Sequence, residues 1–229
     1  MCVKERGPTP LVTWVNDLGR IELSAATFAN AVSKASNFLV DGLELDEGAA
    51  VNVALGNHWQ SAVWLGTALT VGLTITDQAP ALTFGVKSQA QTWQGSTEEF
   101  VVISQDPFGM PDKDIPAGFI NGSAEVRNFG DYFSPSWEVS SEHPAIQVQS
   151  TGMTWTQLVA RSLEIAQENH IQSGQSYGIY GISDIVTMAA LQIVFPVTNG
   201  NSVVLIDQSN PDFGNIKKQE KLDRIVELG

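Results

Sequence analysis

Apolar and polar positions alternate at the start of the chain and switch to a helical period soon after. Leu11-Val12-Thr13-Trp14-Val15 is β-branched and aromatic, the composition of a strand. Asn16-Asp17-Leu18-Gly19 carries turn residues and Ile21-Glu22-Leu23 resumes the alternation, so the pair predicts a hairpin. Ser24 offers an oxygen to the free N–H groups of a helix start. Phe28, Val32, Ala35 and Leu39 then recur at helical spacing, and Asp41-Gly42 closes that helix. Val51 to Leu55 predicts a strand. Trp59, Val63, Gly66 and Leu69 mark a second helix, stopped near Gly72, and Leu73 to Thr76 another strand.

Beyond the breaker Gln78-Ala79-Pro80, the pattern from Leu82 to Gly95 is ambiguous and is expected to contain a short helix, and Phe100 to Ser104 predicts a buried strand. Residues 105–122 hold three prolines and three glycines and read as an ordered loop. Ala124 to Phe133 reads as a helix or a turn-rich segment, and Ser134 to Pro144 as loop. Ala145 to Gln149 alternates and predicts a strand, Ser150 to Met153 a turn, and Thr154 onward a helix with Trp155, Leu158, Val159, Leu163 and Ala166 on one face. Ser176 to Tyr180 predicts a strand. Ser183 or Asp184 caps a helix running to the neighbourhood of Val194, and Ser202 to Ile206 predicts a strand. Asp212 caps a last helix whose apolar seam is Ile216, Leu222, Ile225 and Leu228. Strands alternating with helices imply right-handed crossovers. The expected fold is therefore α/β: a layered α-β-α domain with a mainly parallel sheet and an amino-terminal β-hairpin, residues 1–229 forming a single domain.

Composition narrows the partners. The chain has 229 residues, is 43% hydrophobic and carries a net charge of −13 from 25 acids and 12 bases. That sign disfavours nucleic acid and anionic membrane surfaces. Cys2 is the single cysteine, read as an exposed terminal thiol, so no internal disulfide framework exists and a cytoplasmic location is expected. No secretory signal is visible. Ala62 to Thr76 is too short to span a bilayer, and Ile185 to Ile206 is interrupted by Pro196 and Asn199-Gly200-Asn201.

With those residues placed, the chain resembles the amino-terminal part of adenylate-forming enzymes, the superfamily of acyl-CoA synthetases, luciferases and peptide-synthetase adenylation domains. The likeness runs through Ile21-Glu22-Leu23-Ser24, Asp41 to Gly48, Val51 to Trp59 with its asparagine-containing turn, Leu65-Gly66 to Gly72, and Thr187 to Leu205. More specifically, the whole chain resembles a short actinobacterial family related to those enzymes. The resemblance covers nearly all of this chain and under half of a full enzyme. The family's adenine-binding segment, ribose contact, hinge and mobile catalytic domain lie outside it, so adenylation by this chain alone is not expected.

The family's phosphate loop, approximately Ser/Thr-Ser-Gly-Thr-Thr-Gly-x-Pro-Lys-Gly, follows a strand and precedes a helix. The corresponding place here is Gln149-Ser150-Thr151-Gly152-Met153-Thr154-Trp155-Thr156. It keeps hydroxyls and one glycine, and lacks the proline, the lysine and two glycines. Two readings stand for Ser150, Thr151, Gly152, Met153 and Thr154. They form a residual anion site that would take ATP, AMP or an acyl ligand, as the resemblance implies, or a strand-to-helix turn whose hydroxyls cap the helix. Asp184 is a pocket carboxylate or a helix cap. Between Lys113 and Lys217 the bases are Arg127 and Arg161. His58, His143 and His170 share no ligand spacing, so no metal is expected. The basic run Lys217, Lys218, Lys221 and Arg224 alternates with Glu220 and Asp223 and reads as a solvated helix end. Functionally the residues and the resemblance leave three alternatives. One is a catalytically degenerate relative that binds a nucleotide or acyl ligand. The second is an interaction module, self-associating or bound to a protein partner. The third is an acyl-activating enzyme of altered chemistry.

Overall fold

A computed structural model describes residues 3–135, 137–149, 151–209 and 211–228. The hairpin of β1 (Pro10–Asn16) and β2 (Gly19–Ser24) leads into α1 (Ala25–Asn37), which widens into a π-turn over Phe38–Gly42. β3 (Ala50–Ala54), α2 (Trp59–Val71) and β4 (Thr74–Thr76) follow. Next come β5 (Leu82–Gly85), the single turn α3 (Ala90–Trp93), β6 (Glu99–Val102), β7 (Ile120–Asn121) and α4 (Gly122–Glu125). β8 (Pro144–Val148) and β9 (Thr151–Thr154) make a second hairpin before α5 (Trp155–Glu168). The last stretch is β10 (Ser176–Tyr180), α6 (Ile185–Ala189), a π-turn over Ala190–Val194, α7 (Phe195–Asn199), β11 (Ser202–Asp207), α8 (Phe213–Gln219) and β12 (Arg224–Glu227).

The architecture is α/β with an amino-terminal hairpin, as the residue pattern predicts. The strands divide into two sheets, which local periodicity does not reveal because pairing is set by contacts distant in sequence. The chain forms two compact units, one of Met1–Ala29, Gly56–Ala62 and Gln157–Gly229, the other of Asn30–Leu55 and Val63–Thr156. In the first unit the sheet order is β12-β10-β11-β1-β2. It is parallel except at β2, with Val12 beside Val203 and Tyr177 beside Val203 on the far side. Leu11, Val12, Ile179, Val203 and Leu205 are fully buried. Val204, Ile206, Ile216 and Leu222 form a cluster that seats α8 on the sheet. The Tyr177 hydroxyl is fully enclosed and donates to Leu191 O at 2.5 Å, and burial pushes its pKa well up.

In the second unit the order is β7-β6-β5-β3-β4-β8-β9, parallel except at β9. Trp64 of α2 stacks on Phe84 of β5 with ring centroids 4.4 Å apart. Gly72, at φ 81°, stops α2 where predicted, because its left-handed backbone suits a residue without a side chain. Among the described residues, no helix is long and apolar enough to cross a membrane.

The stretch from Leu82 to Gly95 contains the expected short helix, α3, and before it a strand the residue pattern does not reveal, β5, whose four residues are all buried. Two expectations about where elements end are corrected. The last helix ends at Gln219, and Ile225 belongs to β12. Lys221 takes a left-handed φ of 53°, and the β-branched pair Ile225-Val226 favours a strand beside β10. The helix from Asp184 continues past Val194, because a π-turn lets the chain accept Pro196 in the first turn of α7.

Candidate functional site

In the second unit, the place of the expected phosphate loop is occupied by the β8–β9 hairpin. Ile146 pairs with Met153, Gln147 with Gly152 and Val148 with Thr151. Gln149 and Ser150 are therefore the whole link between the strands. Ser150 lies outside the described residues, as does Cys2. Gln149 has a φ of 52°, and the Gln147 side chain donates to its carbonyl at 3.1 Å. Thr151, Gly152, Met153 and Thr154 are extended, with Thr151 and Gly152 exposed. The turn expected here is corrected in its backbone, which is a strand. The backbone pairs with β8 in place of a supple loop. The first N–H groups of α5 are taken by carbonyls of the preceding loop, Trp155 N donating to His143 O at 3.2 Å and Thr156 N to Ser141 O at 3.1 Å. The alternation Ala145 to Val148 signalled β8. Nothing in Thr151-Gly152-Met153-Thr154 distinguishes a four-residue strand from a turn.

The two bases nearest in sequence are engaged elsewhere. Arg127 donates to Gly109 O at 3.0 Å and bridges to the Met110 sulfur. Arg161 is paired with Glu164 at 3.0 Å and Glu168 at 2.9 Å on its own helix, and hydrogen bonds to those carboxylates hold its charge on. Among the described residues no group of three histidine, cysteine or acidic side chains is placed to hold a metal ion.

In the first unit Asp184 is the cap of α6. Its Oδ1 accepts from Val186 N and Thr187 N, both at 3.0 Å, and its Oδ2 from the Thr187 hydroxyl at 2.7 Å and the Ser183 hydroxyl at 3.2 Å. Partial burial pushes its pKa up, but those hydrogen bonds outweigh it and the net shift is downward. All this acceptor capacity faces the chain's own helix.

The same unit brings Asn57, His58 and Gln192 into one polar cluster, a grouping that the residue pattern does not predict. β10 connects to β11 on one side and β11 connects to β12 on the other, so right-handed crossovers place α6–α7 and α8 on opposite faces. The carboxyl ends of β10 and β11 then form the crevice where open α/β sheets take ligands. Asn57 fills it. The residue is buried, and its Nδ2 donates to Ile179 O and Ile206 O, each at 3.0 Å. Gln192 Nε2 reaches Gly56 O at 3.4 Å. His58, also buried, accepts from Gln60 N at 3.1 Å and sits with its ring centroid 4.3 Å from that of Trp14. One signal was available: Asn57-His58 and Gln192 are isolated polar residues inside otherwise apolar runs. A groove of about 400 Å³ runs beside β12, lined by Phe213 and by charges of both signs from Lys217, Arg224 and Glu227.

Comparison with known proteins agrees with this layout. No protein-family model matches the chain. It is 28% identical, over an alignment of 236 residues, to a TIGR03089 family protein of Mycobacterium tuberculosis, covering 95% of this chain and 91% of that one. An acyl-CoA synthetase from Brucella canis superposes with a TM-score of 0.81 at 10% identity, over 96% of this chain and 45% of that enzyme. The fold is that of the amino-terminal part of acyl-CoA synthetases. Acetoacetyl-CoA synthetase from Streptomyces lividans gives a TM-score of 0.76 at 15% identity, over 99% of this chain and 41% of its own. The chain thus spans less than half the length of these two acyl-CoA synthetases, and most of the length of its mycobacterial relative. The expected resemblance to an actinobacterial family is matched by this similarity to the mycobacterial protein.

Proposed function

We propose that this protein is a non-adenylating relative of the acyl-CoA synthetases, a scaffold that recognises its ligand without activating a carboxylate. One observation carries the reading: two residues link β8 to β9 where the family resemblance calls for a glycine-rich, lysine-bearing loop. Adenylyl transfer depends on positioned positive charge and mobile N–H donors around a reacting triphosphate. A tight hairpin directs much of its backbone hydrogen bonding into its own ladder. Arg127 and Arg161, the bases closest in sequence, are bound to a loop carbonyl and to two glutamates. A nucleotide or acyl ligand bound by this protein would leave unchanged.

The test is ATP–pyrophosphate exchange with a panel of short, long and aromatic carboxylic acids. The expected result is exchange no faster than without protein for every acid. Acid-dependent exchange would instead make the protein an acyl-activating enzyme of altered design.

A further inference from the structure

The edge strands of the two sheets differ in how they are protected. An unpaired edge invites another strand, and proteins usually blunt it with charge, brevity or proline. β7 has two residues, and β9 carries no charge. On β12, Arg224 and Glu227 are three positions apart and therefore face opposite sides of the sheet. On β2, Arg20 and Glu22 are two positions apart and share a face, with Ile21 between them on the other.

We propose that β2 pairs antiparallel with β2 of a second copy of this chain, about a two-fold axis at Ile21. A two-fold axis perpendicular to the sheet sets Ile21 opposite Ile21, and Arg20 of each copy opposite Glu22 of the other, on the same face. Centring the axis on Arg20 or on Glu22 would oppose like charges. The backbone meets the same requirement. Asn16 and Gly19 close the two-residue turn, and Trp14 pairs with Ile21. Gly19, Ile21 and Leu23 thus turn their N–H and C=O groups toward β1, and Arg20 and Glu22 turn theirs outward. Arg20 and the second copy's Glu22 therefore form a hydrogen-bonded pair. Ile21 and its mate form the closer, non-bonded pair, in which side chains touch.

The side chains are available. Those of Arg20 and Glu22 are 45% and 33% exposed. Arg20 uses Nε for Glu220, at 2.9 Å, and Nη2 for Glu22, leaving Nη1 to reach across. Leu18, 87% exposed at the tip of the hairpin, comes opposite Ser24 of the second copy in this register and loses solvent there. The contact is isologous and closes on itself, so it stops at two copies.

Sedimentation and light scattering should give the parent chain about twice its 24.7 kDa mass. Ile21→Lys, which places two ammonium groups on the axis, should be monomeric at concentrations where the parent is dimeric, with an unchanged far-UV spectrum. In a Cys2→Ser background, Ile21→Cys should oxidise to a covalent dimer, because the non-bonded pair brings the two Cβ atoms within disulfide reach. Arg20→Glu and Glu22→Lys should each be monomeric alone and associate when mixed. A monomeric parent chain overturns the proposal. So does a dimer that survives Ile21→Lys and gives no Ile21→Cys crosslink.

Discussion

Replacing Asn57 by alanine probes the crevice at the carboxyl ends of β10 and β11. The side chain is 7% exposed, and both its donated hydrogen bonds end on main-chain carbonyls, Ile179 O and Ile206 O, at 3.0 Å. Alanine removes both donors and leaves a void too enclosed for bulk water to repair. Each carbonyl left without its partner costs about 1–3 kcal/mol. A carbonyl has a second lone pair that neighbours can use, so the lower half of that range applies, giving roughly 2–4 kcal/mol in total. For a chain of this size, 1 kcal/mol shifts Tm by about 2–4 °C, so the expected fall is roughly 4–16 °C. Asn57→Asp should be worse at neutral pH, since a carboxylate would face two carbonyl oxygens, and should partly recover in acid, where the protonated form can donate once. The assay is thermal melting followed by far-UV circular dichroism, with urea unfolding to check that the slope is unchanged. An Asn57→Ala chain melting with the parent would show that the two carbonyls do not need this amide.

Asp184→Ala should lower stability by about 1 kcal/mol at neutral pH, the usual effect of losing a helix cap. Hydrogen bonding depresses the folded-state pKa of Asp184, so its contribution is complete above the unfolded value, near pH 4, and fades as pH falls through the lower folded value. Melts of the parent and Asp184→Ala should therefore converge in acid, and a constant gap would contradict this. Gly181→Ala should destabilise by about 1–3 kcal/mol or more. Its φ is 91° and a Cβ there would lie 1.9 Å from Leu228 O, so the Leu228 N to Tyr180 O hydrogen bond must open. Faster hydrogen exchange at the Leu228 amide would report it, and unaltered protection would refute it.

Much of the fold is legible in the residue pattern because several elements carry redundant signals. β1 and β2 show alternation, turn chemistry and the capping Ser24, whose Oγ accepts from Thr27 N at 3.1 Å as predicted. α2 has both a helical period and a glycine stop. β5, Leu82-Thr83-Phe84-Gly85, and β9, Thr151-Gly152-Met153-Thr154, did not show because four residues are too few for a period to separate strand from helix or turn. Asp184 was legible as a cap because capping is a local matter of side chain and following N–H groups. The Asn57 cluster was not, because its partners come from β3's exit, β10, β11 and the π-turn after α6, whose meeting depends on sheet order. The phosphate-loop position was readable as to its missing lysine and glycines. Its shape followed from the pairing of Val148 with Thr151, a register fact absent from residue type.

Whether the β8–β9 hairpin seats a nucleotide's triphosphate is decided by titration calorimetry of the full chain with ATP and magnesium. No saturable heat attributable to the phosphates is expected, with AMP and ATP indistinguishable. Saturable, magnesium-dependent binding of ATP that is lost when Thr151 and Thr154 are both replaced by valine would contradict that expectation.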